Sequence, residues 1–222
     1  MLLSWVMRID VVFDTVCPWC FIGKHRLERA LGLRPEVRAE IRWRPFLLNP
    51  EMPSDGLDWQ LHLERKFGSA YRIQRIHGAI AAAGEAEGIA FDFNAIMRIP
   101  NSVDSHRLIQ WAADTGRQAA LVEAIYGAYF VRGQDIGDRA VLRSLAVACG
   151  LPGDEAQRFL DSNQGSAEVE GENARVHRLG VGGIPCYIFD GRYAVAGAQE
   201  PDMLARLIDI ARGEAELETA SS

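Results

Sequence analysis

The spacing of hydrophobic and polar positions changes period twice along the chain. Ile9, Val11 and Phe13 alternate with Asp10 and Asp14, the two-residue period of a strand. Cys17-Pro18-Trp19-Cys20 follows, and the spacing turns helical to about Leu31, with Leu27 and Leu31 one turn apart and Pro35 marking the break. Val37, Ala39, Ile41 and Trp43 then alternate with Arg38, Glu40, Arg42 and Arg44, the mark of a half-exposed strand. Residues 8–48 therefore predict β-α-β. Asn49 to Gly56, rich in Pro, Gly, Asp and Ser, reads as a linker. Beyond it the period is helical: Ile73, Ile76 and Ile80 share a face, as do Leu108, Trp111 and Ala112, then Val122, Ile125 and Tyr129, then Leu142, Leu145 and Cys149. Glycines and Pro152 separate these runs, so residues 57–165 are expected to form an all-helical block. The end returns to β. Cys186 to Phe189 is an apolar run, Asp190-Gly191 suits the positive φ of a tight hairpin, and Tyr193 to Val195 is the return strand. Pro201 opens a last helix with Leu204, Leu207, Ile208 and Ala211 inward, and the acidic tail from Gly213 reads as frayed.

The order β-α-β, helices, β-β-α is what an α/β, thioredoxin-like fold with an inserted all-helical domain requires. The expected thioredoxin-like domain is discontinuous, 8–56 and 166–212, and the insertion is 57–165. Composition narrows this only a little. A chain of 222 residues can bury a core without disulfide staples. A net charge of −6 without a basic stripe excludes an obvious nucleic-acid partner. No apolar run approaches the ~20 residues that cross a bilayer, so no membrane partner is expected. The apolar start, Met1 to Met7, is too short for a signal peptide and has no basic segment before it, and Met7 is an alternative start. The expected location is the cytoplasm, where thiols are reduced and disulfides are transient and catalytic.

That setting gives Cys17 and Cys20 their meaning. A two-residue spacer at a helix start puts two sulfurs within bridging reach. The first sits at the positive end of the helix dipole, which favours a thiolate. Cys17 is expected to be the exposed, attacking thiolate and Cys20 the buried resolving thiol. Pro18 suits the first helical turn, and Trp19 offers an apolar contact to a partner. Half of a zinc site is the other reading of CxxC, but no second CxxC exists, and Cys149, Cys186 and His177 stand at irregular spacings. Gly182-Gly183-Ile184-Pro185 precedes the apolar strand. It is either an ordinary trans-proline loop or, in a thioredoxin-like fold, a cis turn facing the CxxC, where Ile184 and Pro185 would offer backbone to an extended substrate. Cys186 is either core packing, as strand alternation favours, or a third redox thiol. Cys149 reads as packing, and His25, between Lys24 and Arg26, as surface.

The runs Asp14 to Gly23, Ile99-Pro100-Asn101, Ser105-His106-Arg107-Leu108, Gly183-Ile184-Pro185 and Tyr193 to Gln199 resemble the cytosolic branch of the DsbA family. That branch includes the FrnE-like oxidoreductases, and its cousins are 2-hydroxychromene-2-carboxylate isomerases and kappa-class glutathione transferases. The resemblance spans about Arg8 to Ala211. It implies a thioredoxin fold with a helical insertion, a cis-proline facing the CxxC, and thiol–disulfide exchange with a protein or small molecule. No cofactor beyond the dithiol is implied, with glutathione as a candidate co-substrate, and a homodimer is compatible with it. Asn101 and His106 match a stretch at the edge of the helical domain facing the cleft. They are expected to touch substrate or support the site, against a reading as a helix cap and a hydrogen-bonded histidine. The cousins carry serine where Cys17 stands, so a glutathione-dependent isomerase or transferase is the rival reading, and a zinc-holding or partner-binding module is the second rival. Cys186 departs from the oxidoreductase pattern, where an aromatic or small residue is usual.

Overall fold

The computed structural model of the chain describes residues 6–220, so Met1 to Trp5, most of the apolar start, lie outside the described residues. A four-stranded mixed sheet has the order β2-β1-β5-β6. β1 (Met7–Phe13) and β2 (Ala39–Pro45) run parallel, with Ile9 beside Ile41 and Val11 beside Trp43, and α1 (Pro18–Gly32) is the crossover between them. β5 (Cys186–Phe189) returns antiparallel to β1, and β6 (Tyr193–Ala196) pairs antiparallel with β5 across the Asp190-Gly191 turn. Both turn residues have positive φ, 49° and 72°, which glycine tolerates freely and aspartate better than most.

Strand alternation divides the core in two. Ile9, Val11, Phe13, Tyr187 and Phe189 point to the face covered by α1 and α9 (Pro201–Ala220). Val12 and Cys186 point to the other face, against Val176 of α8 (Ser166–Arg178). α8 has no counterpart in the sequence pattern. Only Val169 and Val176 are buried in its 13 residues, too few to set a visible period. α9 continues past Gly213 to Ala220, against the expected fraying, because the run of Glu, Ala and Leu there consists of strong helix formers.

Six helices lie between β2 and α8: α2 (Trp59–Phe67), α3 (Ala70–Glu85), α4 (Val103–Trp111), α5 (Gln118–Tyr126), α6 (Arg139–Ala148) and α7 (Gly153–Asp161). The block is not wholly helical. β3 (Leu57–Asp58) pairs antiparallel with β4 (Arg98–Ile99), two residues each and too short to register as alternation. α5 runs on into a π-helical turn, Gly127–Val131, that buries Ala128, Tyr129 and Phe130. The core passes from sheet to helices without a break, since Phe21 of α1 stacks on Tyr126 at 4.9 Å and Tyr126 meets Phe13 of β1 edge-on.

Candidate active site

Cys17 is the N-cap of α1, in extended backbone (φ −101°, ψ 110°), with Pro18 as the first helical residue. Its carbonyl accepts from Cys20 N at 3.1 Å and Phe21 N at 3.4 Å, so the cap residue itself starts the helix. Both thiols are unbonded. The Cys20 sulfur lies beside Cys17 and the β1–α1 turn at Asp14, and burial first, then the Cys17 sulfur, push its thiol well above the usual range. Cys17 is not the exposed thiol expected of it. It is 5% exposed and Cys20 2%, and the part of the motif that meets solvent is Trp19, at 38%. Pro18 is half-buried beside it.

The turn before β5 lies against the same helix. The Ile184–Pro185 bond is cis, Pro185 is buried and Ile184 half-buried. Pro185 O accepts from Gly197 N at 2.7 Å, which ties the turn to the end of β6. Gly23, one turn beyond Cys20, sets the approach. A Cβ there would come within 2.8 Å of Pro185 Cγ and would overlap Tyr187 Oη. Pro18 and Trp19 thus lie between the two thiols on α1, and Pro185 meets the same helix at Gly23.

Asn101 and His106 are placed differently from the expected substrate contacts. Asn101 Nδ2 donates to Met52 O at 2.7 Å and its Oδ1 accepts from Val103 N at 2.9 Å, so its amide is spent joining the 49–56 segment to the start of α4. His106 is fully buried and cannot touch a substrate. Its Nε2 lies 3.3 Å from Asp14 Oδ1, and its ring packs edge-on against Phe13.

That contact exposes what the sequence reading passed over. Asp14 is fully buried, and its carboxylate accepts from Leu48 N at 2.8 Å and Val16 N at 3.4 Å besides facing His106. Thr15 Oγ1 and Ser105 Oγ are 2.7 Å apart. Tyr126 Oη donates to Asp14 O at 3.1 Å. A buried polar cluster from the β1–α1 turn and α4 therefore lies behind the dithiol. Asp14 reads in the sequence as the outward position of an alternating strand. The local signal is the pair of polar residues, Asp14 and Thr15, that directly follows the apolar end of β1.

Two further cysteines stand apart. Cys186 lies on the α8 face of the sheet, opposite to α1, and burial raises its thiol, so it packs as a small apolar residue. Cys149 ends α6, half-buried. His25 is half-buried rather than on the surface, between Glu123 and the Glu87 carbonyl. Among the described residues, no three or more His, Cys, Asp or Glu are grouped to hold a metal, and no helix is long and apolar enough to cross a membrane.

Residues 8–209 match the family of the DSBA-like thioredoxin domain. A probable DsbA oxidoreductase from Streptomyces coelicolor is 30% identical, with a TM-score of 0.87 over 94% of this chain and 91% of that one. A 2-hydroxychromene-2-carboxylate isomerase is 16% identical, with a TM-score of 0.69 over 95% of this chain and 98% of that one. The cytosolic disulfide reductase DsbM of Pseudomonas aeruginosa, solved with glutathione, is 20% identical, with a TM-score of 0.63 over 91% and 98%. The last two share the fold.

Proposed function

This chain belongs to the DsbA-like thioredoxin family, and from that premise we propose that Cys17 and Cys20 exchange a disulfide with a thiol- or disulfide-bearing protein or small molecule. Cys17 is the nucleophile. Its sulfur stands at the positive end of a 15-residue helix, the place where a helix favours negative charge. As a reductant, Cys17 attacks one sulfur of the substrate disulfide, that S–S bond breaks, and the released sulfur takes a proton. Cys20 then attacks Cys17, freeing the second substrate thiol and leaving the Cys17–Cys20 disulfide. The two electrons pass from the pair to the substrate, and as an oxidant the sequence runs backwards. Trp19 and the Ile184–Pro185 turn are the contacts offered to the partner, with Asn101 and His106 in support through the 49–56 segment and Asp14.

The observation that carries this reading is the pair of free thiols set side by side at the start of α1, with the Pro185 turn packed one helical turn away. The isomerase and transferase reading has no serine at position 17 to support it. Glutathione is the proposed co-substrate, and no other cofactor is needed. A cytoplasmic location and a homodimer belong to the same proposal, as does a helical insertion that shapes partner choice.

The test is a glutathione redox titration read by thiol alkylation and mass spectrometry, with Cys17→Ser as control. A reversible Cys17–Cys20 disulfide is expected. A midpoint near thioredoxin's, about −270 mV, makes the protein a reductant, and one near DsbA's, about −120 mV, an oxidant. A stable Cys17–glutathione adduct with no internal disulfide would sink the proposal.

A further inference from the structure

Buried polar groups are nearly always hydrogen-bonded. Tyr187 Oη is an exception: the side chain is fully buried, and its hydroxyl has no partner among the described residues. It rises from β5 toward α1 and fills the space above Gly23, one turn beyond Cys20. Burial first, then the charge of Cys20, push its phenol well above the usual range, so it holds its proton throughout the working pH range. It is therefore a donor without an acceptor, set against the helical turn that carries the resolving sulfur.

In the dithiol state Cys20 stands beside the Cys17 thiol. Once Cys17 is tied to a substrate sulfur it has no thiol proton to share, and Cys20 must become a thiolate to attack. The titratable neighbours of that thiolate are few. The Asp14 backbone favours its charge and the Asp14 carboxylate disfavours it, and Tyr126 from α5 has committed its hydroxyl to Asp14 O, so no side-chain donor is yet given to it. Arg26, which also acts on the Tyr187 phenol, is occupied by Glu87, Glu200 and Ala198 O. We infer that Tyr187 Oη is the hydrogen-bond donor taken up by the Cys20 thiolate in the mixed disulfide, which makes Tyr187 a positioning residue for the resolving step. The inference rests on the dithiol reading above and adds to it the group that steadies the second thiolate. In that step the Cys17–Cys20 bond forms and the bond from Cys17 to the substrate sulfur breaks. The electron pair leaves on the substrate sulfur, which takes up from water the proton that Cys20 released there. Tyr187 lends its hydrogen bond and keeps its proton.

Tyr187→Phe removes the hydroxyl and keeps the ring. The reduced protein is mixed with oxidised glutathione, quenched with acid at intervals and weighed, which separates formation of the Cys17–glutathione adduct from its decay to the internal disulfide. Cys20→Ser marks the adduct by halting there. In Tyr187→Phe the adduct should form within about twofold of the wild-type rate and decay about tenfold more slowly, as for loss of a hydrogen bond to a charged group. The pH midpoint of the decay should move up, and the variant should melt no lower than wild type, since an orphaned buried hydroxyl is gone. An unchanged decay, an equal slowing of both steps, or a lower melting temperature would each overturn the inference while leaving the dithiol reading intact. A wild-type protein that never forms the internal disulfide would instead remove the dithiol reading, and this inference with it.

Discussion

Gly23 controls how closely the Pro185 turn approaches the dithiol helix. Its neighbours are the buried Pro185 ring and the Tyr187 hydroxyl, both from the start of β5. A methyl group there would have to displace one of them. Gly23→Ala is expected to lower stability by about 1–3 kcal/mol, the usual cost of overfilling a packed site, and to slow disulfide exchange with glutathione. Urea unfolding followed by tryptophan fluorescence measures the first, and wild-type stability in the variant would show that the turn has room to spare. The glycine stands within a recognisable sequence run. Its reason does not, because the atoms it makes way for come from a strand more than 160 residues later.

At the scale of elements, α1 is fastened to the inserted helices through its charged face. Lys24, only 5% exposed, bonds Glu123 of α5 at 2.7 Å and Glu28 on its own helix at 2.7 Å. His25 Nε2 lies 3.2 Å from the same Glu123 carboxylate. Arg26 and Arg29 both reach Glu87, just after α3, whose side chain is 1% exposed. Burial works to raise the Glu123 carboxyl, but hydrogen bonds from His25 and Lys24 outweigh it and hold it down to about 2. His25 is raised, first by its hydrogen bond to Glu123. A carboxyl lowered by folding adds stability that is complete above its unfolded value, near 4.5, and lost as pH falls toward 2. A histidine raised by folding acts in the opposite sense, adding stability present below 6.5 and lost as pH rises through its folded value. In Glu123→Gln, stability should fall less steeply than in wild type between pH 4.5 and 2, and the loss above pH 6.5 should also shrink. Denaturant midpoints across that range would check it, and parallel curves would refute it. In the sequence, Lys24-His25-Arg26 looks like a solvated face, because nothing local announces that another element packs there.

Across the whole molecule, the long excursion between β2 and β5 must close without loosening the sheet, and Arg107 makes that closure. Its side chain is 1% exposed and pairs with Asp104. It also donates to Gln164 O at 2.6 Å, Ser162 O at 2.7 Å and Phe159 O at 2.9 Å, tying α4 to the segment that leads from α7 into α8. Three carbonyls and a carboxylate accept from one guanidinium, whose planar fork lysine cannot reproduce. Arg107→Leu should cost about 2–5 kcal/mol, since the Gln164 and Ser162 carbonyls lose a donor at about 1–3 kcal/mol each, while Asp104 keeps Arg139 and Phe159 O keeps the Ser162 hydroxyl. Thermal unfolding tests it, and a drop of under about 1 kcal/mol would mean that water takes over these contacts.

Local pattern determined much of this protein. Alternation set β1 and β2, because a strand half-buried on a sheet writes its period into the chain, and an apolar run before Asp190-Gly191 set the β5–β6 hairpin. Cys17-Pro18-Trp19-Cys20 after a strand and before a helix marked the dithiol, because capping and redox chemistry both act over four residues. What only the tertiary structure decided depends on contacts between distant segments. The burial of Cys17, the pairing of His106 with Asp14, the turning of Cys186 to the far face, the meeting of Tyr187 with Gly23 and the place of α8 under the sheet are all of this kind. Packing, not local propensity, sets which side chains share a dry interior. A residue such as Asp14 or Tyr187 acquires its chemistry only from the neighbours that the fold delivers to it.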